Sequence, residues 1–349
     1  MVLGAVLGVF SNDLKRTLAC SSVSQIGFIL TGVAMQVLLG EYNALAVRGT
    51  LLHMLNHSLF KLILFVAAGV VYINRHELTL DKIRGFGRGK PLFMFAFLMA
   101  ALGITGVPLW SGYVSKTLLK KSIAEGYYLF QNLPLEFPLR FSYWALIFTG
   151  GLTFAYMTKL FVTLFVERNE AATPEKRYIS LPSAVALAAS AALVPFLGSF
   201  TDIKDTLAGF GKAFFHGHVL RQAISYFEWD NISGTLTSLA IGAAVYLIVV
   251  RGLRMRRKTQ ADFGKSPFDL EDLVYRPALN FLTLGPVLRA GQKVFMPGSF
   301  LSRHYLALRQ RLQSLQKKPV MAGHFSLDLL LVGSGICIAL LYVFSKAIW

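Results

Sequence analysis

Long runs of apolar residues, separated by short polar segments, are the dominant pattern of this chain. A helix needs about 20 mostly apolar residues to cross the hydrocarbon core of a bilayer. Seven runs reach or approach this length, and they are 22–39, 44–72, 91–124, 141–166, 180–199, 231–250 and 325–346. The pattern predicts an all-α integral membrane protein with about seven full transmembrane helices.

A shorter apolar stretch, Met1 to Phe10, is only half a span. It has neither the basic start nor the small-residue cleavage site of a secretory signal. We expect it to be the end of a helix that begins earlier, which would make the chain the C-terminal piece of a longer protein. The alternative is a short first helix that is tilted or lies at the membrane interface.

The charge distribution predicts the orientation of the spans. Of the 349 residues only 15% are charged, against about 25% in soluble domains, and the formal net charge is +17. Alternating spans place 24 of the 35 basic residues on one side, in the segments 11–16, 75–90, 168–177 and 251–325. Basic loops stay in the cytoplasm, so we expect a multi-pass protein of the plasma (inner) membrane, with no nucleic-acid partner.

The segment 251–325 is the one long stretch without a predicted span. It opens with five basic residues between 251 and 258, and farther on it places leucines among arginines. This composition suits an amphipathic helix on the cytoplasmic face of the bilayer. A solvated loop with a short core helix is the alternative.

Ionisable residues inside a span are costly and mark functional sites, and the run 44–72 has three of them. His53, His57 and Lys61 are four residues apart, which places them on one stripe of a helix at intervals of about 6 Å. Histidine titrates near neutral pH and a buried lysine can release its proton there. The stripe therefore predicts a proton relay through water; the alternative is a pair of core histidines beside an ion-paired lysine.

The run 91–124 is interrupted by Gly106, Pro108 and Gly112, because proline cannot continue a helix. The interruption predicts two half-helices with unwound backbone between them, an arrangement that transporters use for ion sites. We expect Lys116, just after the break, to be buried among polar groups that include Ser115 and Thr117. The alternative is a proline kink with Lys116 reaching the surface, as we expect of Lys120 and Lys121.

Lys159 in the run 141–166 lies near the end of its span. Its position therefore fits a side chain that reaches the surface and equally one that supports a proton pathway. No carboxylate falls near the middle of a span, which disfavours direct Na⁺ coordination. Cys20 and Cys337 have no metal-binding or redox spacing. We therefore expect no metal site, no cofactor and no catalytic residue for redox chemistry in this chain.

Three motifs together resemble a known family. They are FSNDLKRTLACSSVSQIGF (10–28), LLHMLNHSLFKLILFVAAG (51–69) and GITGVPLWSGYVSK (103–116). In this order they resemble the antiporter-like membrane subunits of respiratory complex I, of Mrp-type Na⁺/H⁺ antiporters and of membrane-bound hydrogenases of the formate-hydrogenlyase type. The resemblance covers about the first 125 residues.

The resemblance implies two inverted five-helix repeats, each with a broken helix, of which this chain matches only the C-terminal half. It places residues 1–170 in the second half-channel, incomplete at its N-terminus, followed by peripheral helices (171–250), the basic segment (251–325) and a final transmembrane helix (326–349). It implies that His53, His57 and Lys61 lie on the central hydrophilic axis, and that Lys116 is the broken-helix lysine near the exit side.

Two features set the chain apart within that family. Thr117 stands where the branch of the distal complex I subunit has aspartate, and YRPAL (275–279) is weakly similar to the hydrogenase branch. The expected function is that of a proton-translocating subunit of a redox-driven complex, such as a NADH dehydrogenase or a membrane-bound hydrogenase. Its expected partners are other membrane subunits, including a polypeptide that supplies the preceding helices. An Mrp-type Na⁺/H⁺ antiporter component and a non-conducting scaffold are the alternatives.

Overall fold

A computed structural model describes residues 1–168, 178–199, 217–218 and 225–255, all within one compact unit, Met1–Thr259. These residues form eight α-helices and no strand. The helices are α1 (Val2–Phe10), α2 (Leu14–Leu39), α3 (Ala44–Arg75), α4 (Pro91–Thr105), α5 (Ser111–Leu129), α6 (Glu136–Phe161), α7 (Leu181–Ser199) and α8 (Trp229–Val245). The predicted all-α class is confirmed.

Five helical segments in the described part of the chain are long and apolar enough to cross a membrane. They are Leu14–Tyr42, Ala44–Arg75, Glu136–Val166, Leu181–Ser199 and Trp229–Gly252. Each contains or nearly coincides with one of the predicted runs, although the first begins eight residues and the third five residues earlier than predicted. The third and fifth end in π-helical turns, Val162–Val166 and Tyr246–Met255. The predictions for 256–325, including 275–279, and for the run 325–346 lie outside the described residues.

The helices pack around a large apolar core and two smaller clusters, and they leave apolar side chains on the outside. Phe60, Phe93 and Tyr156 are almost fully buried in the large core, to which α1, α2, α3, α4, α6 and α7 contribute. Exposed large side chains on the spans include Leu62 and Trp144. A surface of this kind suits lipid or a neighbouring membrane protein.

The predicted interruption of the run 91–124 is present, because α4 ends at Thr105 and α5 begins at Ser111. Gly106 has a φ of 81° and closes α4 with hydrogen bonds from its amide and that of Val107 to Leu102 O, both 3.2 Å long. Glycine adopts this left-handed conformation without a steric cost. Pro108 follows, so the chain cannot resume the first helix.

The α6–α8 pair is held by close backbone approach. A Cβ atom added to Gly151 would lie 2.7 Å from the main-chain oxygen of Ser238, and one added to Gly242 would collide with the main-chain oxygen of Gly151. Small residues allow this approach between helices in a membrane. The contact places α8 beside α5 and the break.

On the side of the basic loops, the segment between α3 and α4 is tied to the turn before α2. Asp13 and Thr79 form an antiparallel bridge, with hydrogen bonds of 2.9 Å from Leu14 N to Leu78 O and from Leu80 N to Asn12 O. Glu77 accepts hydrogen bonds from Lys82 Nζ (2.7 Å) and Thr79 Oγ1 (2.8 Å). These bonds, Lys82 first, lower the pKa of Glu77 to about 2.

Candidate functional site

The residues singled out from the sequence form a continuous row inside the helix bundle. His53, His57 and Lys61 lie along one stripe of α3, about 6 Å of helix rise apart. His53 is 1% exposed and Lys61 is 8% exposed. Lys61 interacts electrostatically with His57, and Lys116 interacts with His53. The two histidines also interact electrostatically with each other. The order of the row is therefore Lys61, His57, His53, Lys116.

Lys61 is held at one end of the row by α2. Its Nζ atom donates to Leu18 O at 2.7 Å and also bonds to Ser21 Oγ. Ser21 belongs to a buried polar stripe on α2 that the sequence analysis did not identify, made of Thr17, Ser21, Ser24 and Gln25. These four residues stand at positions i, i+4, i+7 and i+8 of an apolar helix, and this helical spacing is the signal that could have found them.

His53 is positioned by the first turns of α5. Its Nδ1 atom lies 3.0 Å from Ser115 Oγ, and the two atoms share a hydrogen bond. Asn56, one helical turn along α3, donates to Ser111 O at 2.9 Å and to Ser115 Oγ at 3.3 Å. The structure therefore places Ser115 beside His53, whereas the sequence predicted it among the polar groups around Lys116. It adds Asn56, which the sequence analysis missed because asparagine carries no charge.

Two ring nitrogens in the row lack a hydrogen bond within the described part of the chain. His53 Nε2 and His57 Nδ1 are buried and have no hydrogen-bond partner among the described residues. Buried polar atoms are nearly always hydrogen-bonded to protein or to water. These nitrogens therefore suit hydrogen bonding to water molecules, which would bridge the gaps between neighbouring titratable groups.

Lys116 connects the row to the break between α4 and α5. Its Nζ atom donates to Ile104 O at 2.7 Å and to Thr105 O at 3.3 Å, and lies 5.2 Å from the centre of the Phe28 ring. The last carbonyl groups of a helix lack partners within the helix and carry its negative dipole end. The break thus binds the Lys116 ammonium group through main-chain carbonyl oxygens, which carry no formal charge.

Lys159 and Lys120, which were both considered for contact with the surface, are buried instead. Lys159 is buried, and its Nζ atom donates to Gly8 O, Val9 O and Ser11 O at 2.7–2.9 Å, at the C-terminal end of α1. The expectation for Lys120 is wrong, because it is 7% exposed and bonds to Asp230 O and Asn231 O. In both cases a neighbouring helix covers the side chain, and distance to the helix end cannot reveal this. Lys121 follows the expectation, since it pairs with the exposed Glu228.

Thr117 lies away from the histidines. It lines a cavity with Lys116 and Lys120 on the side of α5 that faces α6 and α8. No group of three or more histidine, cysteine or acidic side chains that could hold a metal ion occurs within the described ranges.

This architecture defines the class of protein: a helical membrane protein that passes the bilayer several times and carries titratable side chains beside a broken helix. Residues 1–133 match the model of a family described as "NADH:quinone oxidoreductase/Mrp antiporter, TM". The resemblance seen in the three motifs is therefore confirmed: over this stretch the chain is similar to antiporter-like membrane subunits.

Individual relatives agree with the family match. The chain is 29% identical over 170 residues to NADH-ubiquinone oxidoreductase chain 5 of Metridium senile, which is 48% of this chain and 25% of the relative. It is 34% identical over 128 residues to an NAD(P)H-quinone oxidoreductase chain 4 of Synechococcus elongatus, which is 37% of this chain and 23% of the relative. The chain thus spans about a quarter of the length of these curated relatives.

A solved structure of the Mrp complex from a Dietzia species has the same fold over most of this chain. The TM-score is 0.58 at 21% sequence identity, and the match covers 96% of this chain and 36% of the other. At this level of identity the similarity concerns the fold alone.

Proposed function

We propose that this chain is a proton-translocating, antiporter-like subunit of a redox-driven membrane complex. The observation that carries the proposal is the row of Lys61, His57, His53 and Lys116, which ends at a broken helix; Lys61 and His53 are buried, and His57 and Lys116 are half-buried. Four titratable groups in one row inside a membrane bundle are costly to bury, and proton transfer is a function that uses them. The family match over residues 1–133 supports the same assignment.

In the proposed mechanism, protons move along the row through bridging water molecules. The imidazole rings of His53 and His57 each accept a proton on one nitrogen and release one from the other. A charge change in a neighbouring subunit would alter the proton affinity of Lys61 and Lys116 and so drive uptake on one side and release on the other. Residues 1–170 would form one half-channel, with Ser115 and Asn56 orienting His53.

The proposed partners are other membrane subunits of such a complex. The relatives bear the names of numbered chains of NADH- and NAD(P)H-quinone oxidoreductases.

Substitution of the two lysines at the ends of the row tests the proposal. We expect Lys61→Ala and Lys116→Ala each to abolish redox-driven proton pumping in native membrane vesicles while the complex still assembles. Lys15→Ala, at an exposed position on α2, is the matched control and should pump normally. Normal pumping by both buried-lysine variants would refute the assignment.

A non-conducting scaffold is the second candidate, and one observation favours it. The ammonium groups of Lys61, Lys116 and Lys120 all bond to main-chain oxygens of a neighbouring helix, so each lysine also fastens two elements together. A scaffold would tolerate arginine at these positions, because arginine keeps the charge and the donors. A proton carrier would not, because arginine does not release its proton.

The transported ion and the orientation are further parts of the proposal. We propose H⁺ as the ion, so activity should persist without Na⁺; strict Na⁺ dependence would favour an Mrp-type antiporter component. We also propose the plasma membrane as the location, with the basic loops in the cytoplasm. A cysteine introduced at Arg88, in a chain without Cys20 and Cys337, should react with an impermeant thiol reagent only in inside-out vesicles.

A further inference from the structure

A polar cavity adjoins Lys116 on the side away from the histidines. It lies between the α4–α5 break, α6 and α8, and the space open to water centres is about 30 Å³. About 10–15 Å³ of such space holds one water molecule, so the cavity has room for about two. Its polar lining comprises Lys116, Lys120, Thr105, Thr117, Thr235 and Ser238.

Lys120 is the second amine in this cavity. It follows Lys116 by one helical turn on α5, about 6 Å along the axis. It lies nine positions before the end of α5 at Leu129, and its side chain is 7% exposed. Its Nζ atom bonds only to Asp230 O and Asn231 O, both at 3.3 Å, among the residues that the structure describes.

The far end of the cavity leads toward charged groups at the start of α8. Asp230 is exposed and interacts electrostatically with Lys120. Lys121 also interacts electrostatically with Lys120, and it forms a 3.2 Å salt bridge with the exposed Glu228. Acidic groups at a surface can accept a proton and pass it to bulk water.

We propose that Lys120 is a further proton-carrying residue and that the cavity between it and Lys116 is the route by which protons leave the row. The inference rests on the proposed function. The Lys116 ammonium gives a proton to water, which passes a proton to the neutral Lys120 amine; Lys116 becomes neutral and Lys120 becomes an ammonium group. Lys120 then releases the proton toward Asp230 and the solvent.

The route depends on α8 as well as on the broken helix. Thr235 and Ser238 come from α8, which packs closely against α6 at Gly151 and Gly242. The hydroxyl groups of Thr117 and Thr235 can hydrogen-bond water between the two amines. Helix α8 is therefore part of the pathway and more than a peripheral span.

The test uses the full chain with the membrane partners that copurify with it, in proteoliposomes that contain a pH-sensitive dye. A potassium diffusion potential drives proton flux. We expect Lys120→Arg to keep assembly, because arginine retains the bonds to Asp230 O and Asn231 O. We expect it to lower flux by roughly 100-fold, since a positioned proton-transfer group contributes at least this much. Lys120→His, which can gain and lose a proton, should restore part of the flux.

Two matched variants separate the route from a role in packing. Lys121→Arg changes the adjacent lysine at the surface and should leave flux unchanged. Thr117→Val keeps the shape of the side chain, removes its hydroxyl group and should lower flux severalfold without loss of assembly.

Wild-type flux in Lys120→Arg would overturn this inference. If Lys61→Ala and Lys116→Ala abolish flux in the same assay, the proposed function stands and only the exit route is wrong. If neither of them lowers flux, the proposed function falls as well.

Discussion

The Nζ atom of Lys116 lies 2.7 Å from the main-chain oxygen of Ile104, so the second half of the broken helix closes the end of the first half through a titratable group. The same lysine interacts electrostatically with His53 at the end of the histidine row. Loss of its proton would remove a charge from the C-terminal end of α4 and from the neighbourhood of His53 at once. The break and the row are thereby linked through one amine.

Contact between the two half-helices should be essential for stability. We expect Gly112→Ala to destabilise the protein by about 1–3 kcal/mol, the usual effect of overpacking, because its Cβ would collide with the main-chain oxygen of Gly103 and press on Phe60. The measurement is the midpoint of thermal unfolding in detergent. Gly69→Ala is the control, because a Cβ atom there meets nothing within 4 Å; equal effects of the two substitutions would contradict the packing described.

Loss of the hydroxyl group that holds His53 should slow transport more than it lowers stability. Ser115→Ala removes the partner of His53 Nδ1, at 3.0 Å, and one acceptor of Asn56. We expect roughly tenfold lower proton flux per assembled complex, which is about 1.4 kcal/mol in barrier height. Ser115→Thr should retain most of the flux, and full flux in Ser115→Ala would show that the bond does not orient His53 for transfer.

Lys159 should prove structural, although it lies in a span. Its ammonium group bonds to Gly8 O, Val9 O and Ser11 O and so fastens α1 to α6. We expect Lys159→Met to destabilise the protein by about 1.5–3 kcal/mol, as for a lost hydrogen bond to a charged group. Flux per assembled complex should remain unchanged, and a selective loss of flux in a normally stable variant would place Lys159 in the pathway.

The segment between α3 and α4 should loosen in acid. The pKa of Glu77 is lowered to about 2 from 4.5, so the carboxylate stabilises the folded segment above about pH 4.5 and loses this effect as the pH falls toward 2. Hydrogen exchange at the Leu80 amide, which bonds to Asn12 O, measures the change. Glu77→Gln should show reduced protection already at neutral pH and no further titration in this range; a titration identical to that of the parent would contradict the assignment.

Local rules and spacing predicted the features that belong to a single helix. Proline chemistry placed the break at Pro108, and a four-residue spacing placed His53, His57 and Lys61 on one stripe. Contacts that arise only from packing were missed. Ser21 on α2 meets Lys61 across 40 positions of sequence, and α8 covers Lys120 from more than 100 positions away. The residue pattern of one helix does not show which other helix packs against it.

Transport along the row requires its amines to gain and lose a proton, and Lys116→Arg removes this ability from the amine at the broken helix. Arginine keeps the positive charge and the donors that reach Ile104 O, but it does not deprotonate in proteins. The measurement is proton flux per assembled complex in proteoliposomes under a potassium diffusion potential. We expect normal assembly with flux at the level of Lys116→Ala; flux at the level of the unsubstituted protein would show that Lys116 carries no proton.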